Sequence, residues 1–122
     1  MPATLINVVQ AGPSGVAGVP ATVTPDTANG NAYSNPGGAP CVLTVINTGA
    51  SAVTVTFALP STQYNGFGAI GATVATSVPA TATRTWCLEP SVFNDASGRV
   101  NFTVSASASV TAGVTQYNRA FP

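Results

Sequence analysis

The sequence predicts an all-β protein: a single β-sandwich, immunoglobulin-like or jelly-roll-like, with an extended proline- and glycine-rich N-terminal arm. Three observations carry this expectation. Ala, Val, Thr and Gly make up more than half of the 122 residues, and the β-branched pair among them loses side-chain freedom in helices but suits a pleated surface. The usual surface helix formers are scarce, with no lysine and a lone glutamate, Glu89. From Cys41 onward, apolar and polar residues alternate in short segments set apart by turn residues at intervals of roughly 8 to 12 residues.

Residues 1–40 read as the arm and residues 41–122 as the sandwich. Positions 11–40 hold half of the ten prolines and half of the twelve glycines, with Asn29, Asn31 and Asn35 between them and no sustained apolar period. That is the texture of an extended segment or long loop. Short strands are expected around residues 4–10 and 21–24.

The strands of the sandwich follow in order. Residues 41–47, CVLTVIN, set Leu43 and Val45 on one face, and residues 48–51, TGAS, form a turn. Residues 52–58 alternate, with Val53, Val55 and Phe57 on one side and Thr54 and Thr56 on the other, the period of a strand with one buried face. The two segments together predict a hairpin. Residues 59–68 are a loop carrying Tyr64 and Phe67, and residues 69–78 resume as strand until Pro79. Residues 80–88 place Arg84, Trp86 and Leu88 on one face, and Pro90 ends that strand because proline cannot donate to a ladder. Residues 92–98, VFNDASG, are a loop of residues that bond their own backbone or tolerate positive φ. Residues 99–105 point Val100, Phe102 and Val104 inward, and residues 110–117 align Val110, Ala112 and Val114. No window shows helical spacing with a cap, so almost no helix is expected.

Charge is the second theme. Only Arg84, Arg99 and Arg119 stand against Asp26, Glu89 and Asp95, so charged residues are 5% of the chain, where about 25% is usual. A solitary protein so poor in charge lacks the repulsion that keeps copies apart, whereas an assembled one does not need it. Three balanced arginines build no field for phosphates, so nucleic acid is not expected as a partner. No apolar run reaches membrane-spanning length, and no membrane partner is expected. Residues 1–12 carry no basic residue ahead of Leu5-Ile6 and Val8-Val9, so the start does not read as a signal peptide and synthesis in a cytoplasm is expected.

The residues leave little room for catalysis. Without histidine or lysine the usual bases for a serine or cysteine nucleophile are missing. A glycosidase needs two carboxyl groups flanking one bond, and Asp26 and Asp95 sit in turn contexts that account for them. Metal and cofactor sites are not expected: Cys41 and Cys87 lack zinc-site spacing and read as small core residues, with a disulfide between them left open. Asn94 with Asp95 is a weak calcium motif. The Asn101-Phe-Thr103 glycosylation pattern falls inside a predicted strand, and Gly12, Gly15 and Gly18 precede no helix that would cradle a phosphate. Trp86 is expected in the core.

The stretches LTVINTGASAVTVTF, then VPATATRTW, then FNDASGRVNFTVS resemble the small β-sandwich decoration, or cement, proteins of tailed-bacteriophage virions. The similarity covers about two-thirds of the chain. It implies a virion location on the capsid surface, where such proteins stabilise the head, often as trimers seated where shell subunits meet. The partners implied are copies of the chain itself and the major capsid protein. A proline-rich arm loses less conformational entropy on docking and can add a strand to a neighbour's sheet. Pro13, Pro20, Pro25, Tyr33 and Pro36 in the arm, with Tyr64 and Phe67 on the loop, are therefore the residues expected at an interface. Exposed aromatics beside polar side chains would instead suit a carbohydrate-binding or adhesin module. Other virion roles, as head-tail adaptor, tail or fibre protein, share the same sequence features.

Overall fold

A computed structural model describes residues 3–11, 23–35, 41–59 and 73–117. Within them the chain is all-β apart from one helical turn. Nine strands form two mixed sheets. Sheet A has the order β1 (Thr4–Leu5), β3 (Asn31–Ser34), β8 (Arg99–Val104), β5 (Val53–Ala58), β6 (Thr73–Val78). Sheet B has the order β2 (Val8–Ala11), β9 (Val110–Tyr117), β4 (Cys41–Asn47), β7 (Ala82–Trp86).

The alternation in the sequence decides which side of each strand is buried. Val53, Val55 and Phe57 of β5, with Val100, Phe102 and Val104 of β8, turn one face of sheet A inward. Leu43 and Val45 of β4 and Val110, Ala112 and Val114 of β9 do the same for sheet B. The two faces share one core. Phe57 joins them, its ring 5.3 Å from Trp86 of β7 in an edge-to-face contact, 5.9 Å from Phe102 and 6.1 Å from Phe93. Trp86 is half-buried against this cluster, in line with its expected core role.

The expected hairpin over residues 41–58 is corrected by the pairing. β4 lies between β9 and β7 in sheet B, while β5 lies between β8 and β6 in sheet A. The connection through residues 48–52 therefore crosses from one sheet to the other. A hairpin would put the apolar faces of both strands side by side; here they meet across the core. Asn47, 1% exposed, fastens the crossing. Its Nδ2 donates to the carbonyls of Ser51, Val78 and Pro79 at 2.8, 3.3 and 3.2 Å, and its Oδ1 accepts from Gly49 N–H at 3.0 Å. One buried amide thus holds two sheet-crossing connections together, because Val78 and Pro79 lead from β6 in sheet A to β7 in sheet B.

Residues 3–11 and 23–35 are laid into both sheets. β1 runs parallel to β3, and β2 runs parallel to β9 over Val8↔Val114 to Ala11↔Tyr117. Between them Ile6 drops into the core and bonds its N–H to the Ala32 carbonyl at 2.8 Å. Of the strand expected near residues 21–24, Val23 makes a single antiparallel bridge to Ala112. Residues 12–22 and 36–40 of the expected arm lie outside the described residues.

The helical turn, α1 (Pro90–Phe93), falls where the sequence predicts the end of a strand and a loop. Proline at the first helical position has no amide hydrogen to leave unsatisfied and a preset φ. Glu89 caps the turn by accepting from Ser91 N–H, and the turn closes with Asn94 N–H on the Pro90 carbonyl at 3.2 Å. Asn94 then clasps Asn35 at the end of β3: Asn94 Nδ2 donates to the Asn35 carbonyl at 2.7 Å, and Asn35 Nδ2 donates to Asn94 Oδ1 at 2.9 Å.

Candidate functional site

The carboxylates hold turns, as their sequence context predicts. Asp26 accepts Ala28 N–H and Asn29 N–H on Oδ1, both at 3.0 Å, and Thr4 Oγ1 and Asn29 Nδ2 on Oδ2, at 2.7 and 3.1 Å. Hydrogen bonds that favour the charged form, led by Thr4, hold its pKa down at about 2. These bonds tie β1 to the turn entering β3. Asp95 does the same ahead of β8, accepting Ser97 N–H at 2.8 Å, Arg99 N–H at 3.2 Å and Asn101 Nδ2 at 2.8 Å. Partial burial pushes its carboxyl up, but those bonds and the Arg99 charge outweigh it and leave the pKa below the ordinary value. The amide nitrogen of the Asn101 glycosylation pattern is thus already engaged. Among the described residues no group of three or more metal-ligating side chains comes together.

The interface expectations divide. Tyr33 is enclosed in the chain's own core at 0% exposure, and Pro25 is buried. Both are corrected: the pairing of β3 with β8 turns the Tyr33 ring inward against Phe102, 6.3 Å away, so it faces no partner. Burial pushes the Tyr33 hydroxyl well above its ordinary pKa. Pro13, Pro20, Pro36, Tyr64 and Phe67 lie outside the described residues. Cys41 is in the core, with its thiol pushed up by burial, whereas Cys87 is exposed, contrary to the expectation that both are core residues. No disulfide joins them.

What the structure brings together, and the sequence did not announce, is a surface. From residue 27 to residue 83 the chain has no Asp, Glu, Lys, Arg or His, and this stretch supplies β5 and β6. Opposite their buried side chains, the outward residues form rows across sheet A. Thr103, Thr56 and Ala75 make one row, and Thr54 and Ser77 stand in the next beside Ser105. All but Thr56 are exposed. Beside them a shallow recess of about 190 Å³ is lined by Thr56, Thr73, Asn101, Thr103 and the Asn29–Asn31 turn. Gly30, at φ +82, supplies the left-handed backbone that this turn requires, while the 3.5 Å from a Cβ there to Thr103 Cγ2 would be ordinary contact. The signal available in the sequence was the Thr-x-Thr spacing, which alternation places on one side of a strand.

No family model, curated protein or solved structure matches this chain.

Proposed function

We propose that this chain is a virion structural protein without catalytic activity, a capsid decoration (cement) protein that binds and stabilises a phage head. The observation that carries the reading is the charge-free stretch from 27 to 83, displayed as Thr, Ser and Ala over the outer face and edge of sheet A. Over β5 and β6 the face carries no charge of its own, which suits a surface that ends up covered. Its partners are copies of itself and the major capsid protein, with neither nucleic acid nor membrane involved; it is made in the host cytoplasm and resides on the capsid surface. The two sheets are read as one immunoglobulin-like or jelly-roll-like sandwich, to both sheets of which the N-terminal arm of residues 1–40 contributes strands.

Sedimentation of intact particles tests this. The chain is expected to travel with heads and, when removed, to lower their resistance to heat or osmotic shock. A chain absent from particles overturns the proposal.

The recess beside Thr103 favours a second reading, a module for a neutral glycan, since the hydroxyls of Thr56, Thr73 and Thr103 can bond sugar hydroxyls without charge. Calorimetry against neutral oligosaccharides separates the two: millimolar or tighter binding abolished by Thr103→Val supports the glycan module.

A further inference from the structure

The outer edge of β6 has a backbone polarity that the neighbouring hydrogen bonds define. Thr54 N–H donates to Ser105 Oγ and the Thr54 carbonyl accepts from Ser105 N–H, both at 2.9 Å, so the polar groups of Thr54 turn toward β8. Its cross-strand partner on the other side, Ser77, therefore forms a non-hydrogen-bonded pair with it. Alternation then gives the β5–β6 bonds to Val53↔Val78, Val55↔Thr76 and Phe57↔Val74. Thr73, Ala75 and Ser77 aim their N–H and C=O groups away from the sheet. Among the described residues, the donor that meets this row is Arg84, whose Nη1 lies 3.0 Å from the Ser77 carbonyl oxygen.

Sheet edges in monomeric proteins are blunted by shortness, proline, bulges or charge. The other edges here follow that rule: β1 has 2 residues, β2 has 4, and β7 carries Arg84. β6 does not. Its 6 residues, TVATSV, include no charge and no proline, and none has positive φ. Five of them are exposed or half-exposed, and Val74, on the inward-facing side of the strand, is 41% exposed.

We infer that β6 is a self-pairing edge: it binds β6 of a second copy, antiparallel, about a two-fold axis through Ala75. In this register Ala75 faces Ala75 of the second copy as a hydrogen-bonded pair, Thr73 faces Ser77, and Val74 stands beside Thr76, which covers its side chain. The outward groups of Thr73, Ala75 and Ser77 are then paired, and the Ser77 carbonyl keeps Arg84 on its second lone pair. The strand itself carries no charge, and the cation that meets each edge is Arg84 on the Ser77 carbonyl. The two Ser77 carbonyls with their Arg84 partners stand four residues apart along the pairing, about 13 Å, beyond the Debye length of about 8 Å at physiological salt. An isologous contact closes at two copies, so the chain in solution is a dimer rather than the trimer that the resemblance implies. The pairing follows from the geometry of this edge and holds whether or not the chain sits on a capsid.

Sedimentation equilibrium and oxidative cross-linking of the full chain test the inference. Wild type is expected at twice its 12.1 kDa mass, and Ala75→Pro at the monomer mass. Proline there removes only an outward donor and no bond to β5, so the variant keeps its fold, with unchanged circular dichroism as the check. Opposed Cα atoms in a hydrogen-bonded pair are about 5.5 Å apart, within disulfide reach. In a Cys87→Ser background, Ala75→Cys is therefore expected to oxidise to a covalent dimer, and Thr103→Cys on the open face is not. A wild-type monomer at millimolar concentration, a trimer, a dimer that survives Ala75→Pro, or equal cross-linking at both positions overturns the inference. None of these results bears on whether the chain travels with particles.

Discussion

Replacing Phe57 by alanine probes whether one aromatic side chain joins the two sheets. The ring is 1% exposed and lies within 5.3 to 6.1 Å, centre to centre, of Trp86, Phe102 and Phe93. These neighbours come from opposite sheets and from α1, so no single element can collapse into the space left behind. Phe→Ala in a core costs about 3–5 kcal/mol through lost transfer energy and the residual cavity, and edge-to-face pairs add about 0.5–1.5 kcal/mol each. The upper half of the range, about 4–5 kcal/mol, is the expectation. At about 0.05–0.15 kcal/mol per residue a chain of this size holds roughly 6–18 kcal/mol, so the loss is a large fraction of the whole. Trp86, the sole tryptophan, reports urea unfolding directly from the site. With a slope of about 1.5 kcal/mol/M the midpoint falls by about 3 M. Phe93→Ala, at a half-buried ring on a four-residue turn, is expected to cost about half as much. A Phe57→Ala loss below about 2 kcal/mol, or a Phe93→Ala loss equal to it, refutes the bridging role.

Asn47→Ala removes the donor shared by two sheet-crossing connections and leaves buried carbonyls unsatisfied. Chemical denaturation is expected to show a loss of about 2–3 kcal/mol, and Asn47→Asp, which removes the donor and adds a buried charge, a larger one. The Tyr33 hydroxyl is buried and finds no hydrogen-bond partner among the described residues, so Tyr33→Phe is expected to raise the unfolding midpoint, by about 1 kcal/mol of stability; a loss would reveal a partner. Asp26 has a folded pKa of about 2, below its ordinary 3.8, so its contribution is complete above the unfolded value and fades as pH falls through the folded one. Thermal melts from pH 5 to pH 1.5 are expected to show a decline that is shallower in Asp26→Asn; identical profiles would show that the Thr4 and Asn29 bonds do not stabilise the fold.

Much of the core was legible because alternation states which side of a strand is buried, and the inward sets of β5, β8 and β9 are all enclosed. Alternation does not state which strand lies alongside. The faces of β4 and β5 were thus readable while their relation was not, and proximity in sequence favoured a hairpin over a crossing. β3 was opaque for another reason: Asn31-Ala-Tyr-Ser34 has one large apolar side chain, and its strand form comes from pairing with β8 and from the Asp26 network. That hidden pairing also misassigned Tyr33, whose flanking prolines and glycines read as surface. The polar rows of sheet A were present as Thr-x-Thr spacing, but a surface needs three strands in register, and register is a property of the folded chain.

The parallel pairing of β2 with β9 has a consequence for biosynthesis. Val8 to Ala11 cannot find their partner until Val114 to Tyr117 have left the ribosome, and β4 likewise waits for β9. At about 5–20 residues per second, the hundred or so residues between β2 and β9 take several seconds to emerge, during which sheet B has no centre. Compaction is therefore deferred until translation has passed Tyr117, and a nascent fragment lacking β9 leaves one hydrogen-bonding edge of β4 unpaired. Shortened translation products of this protein are expected to be substrates for chaperones and proteases rather than functional fragments.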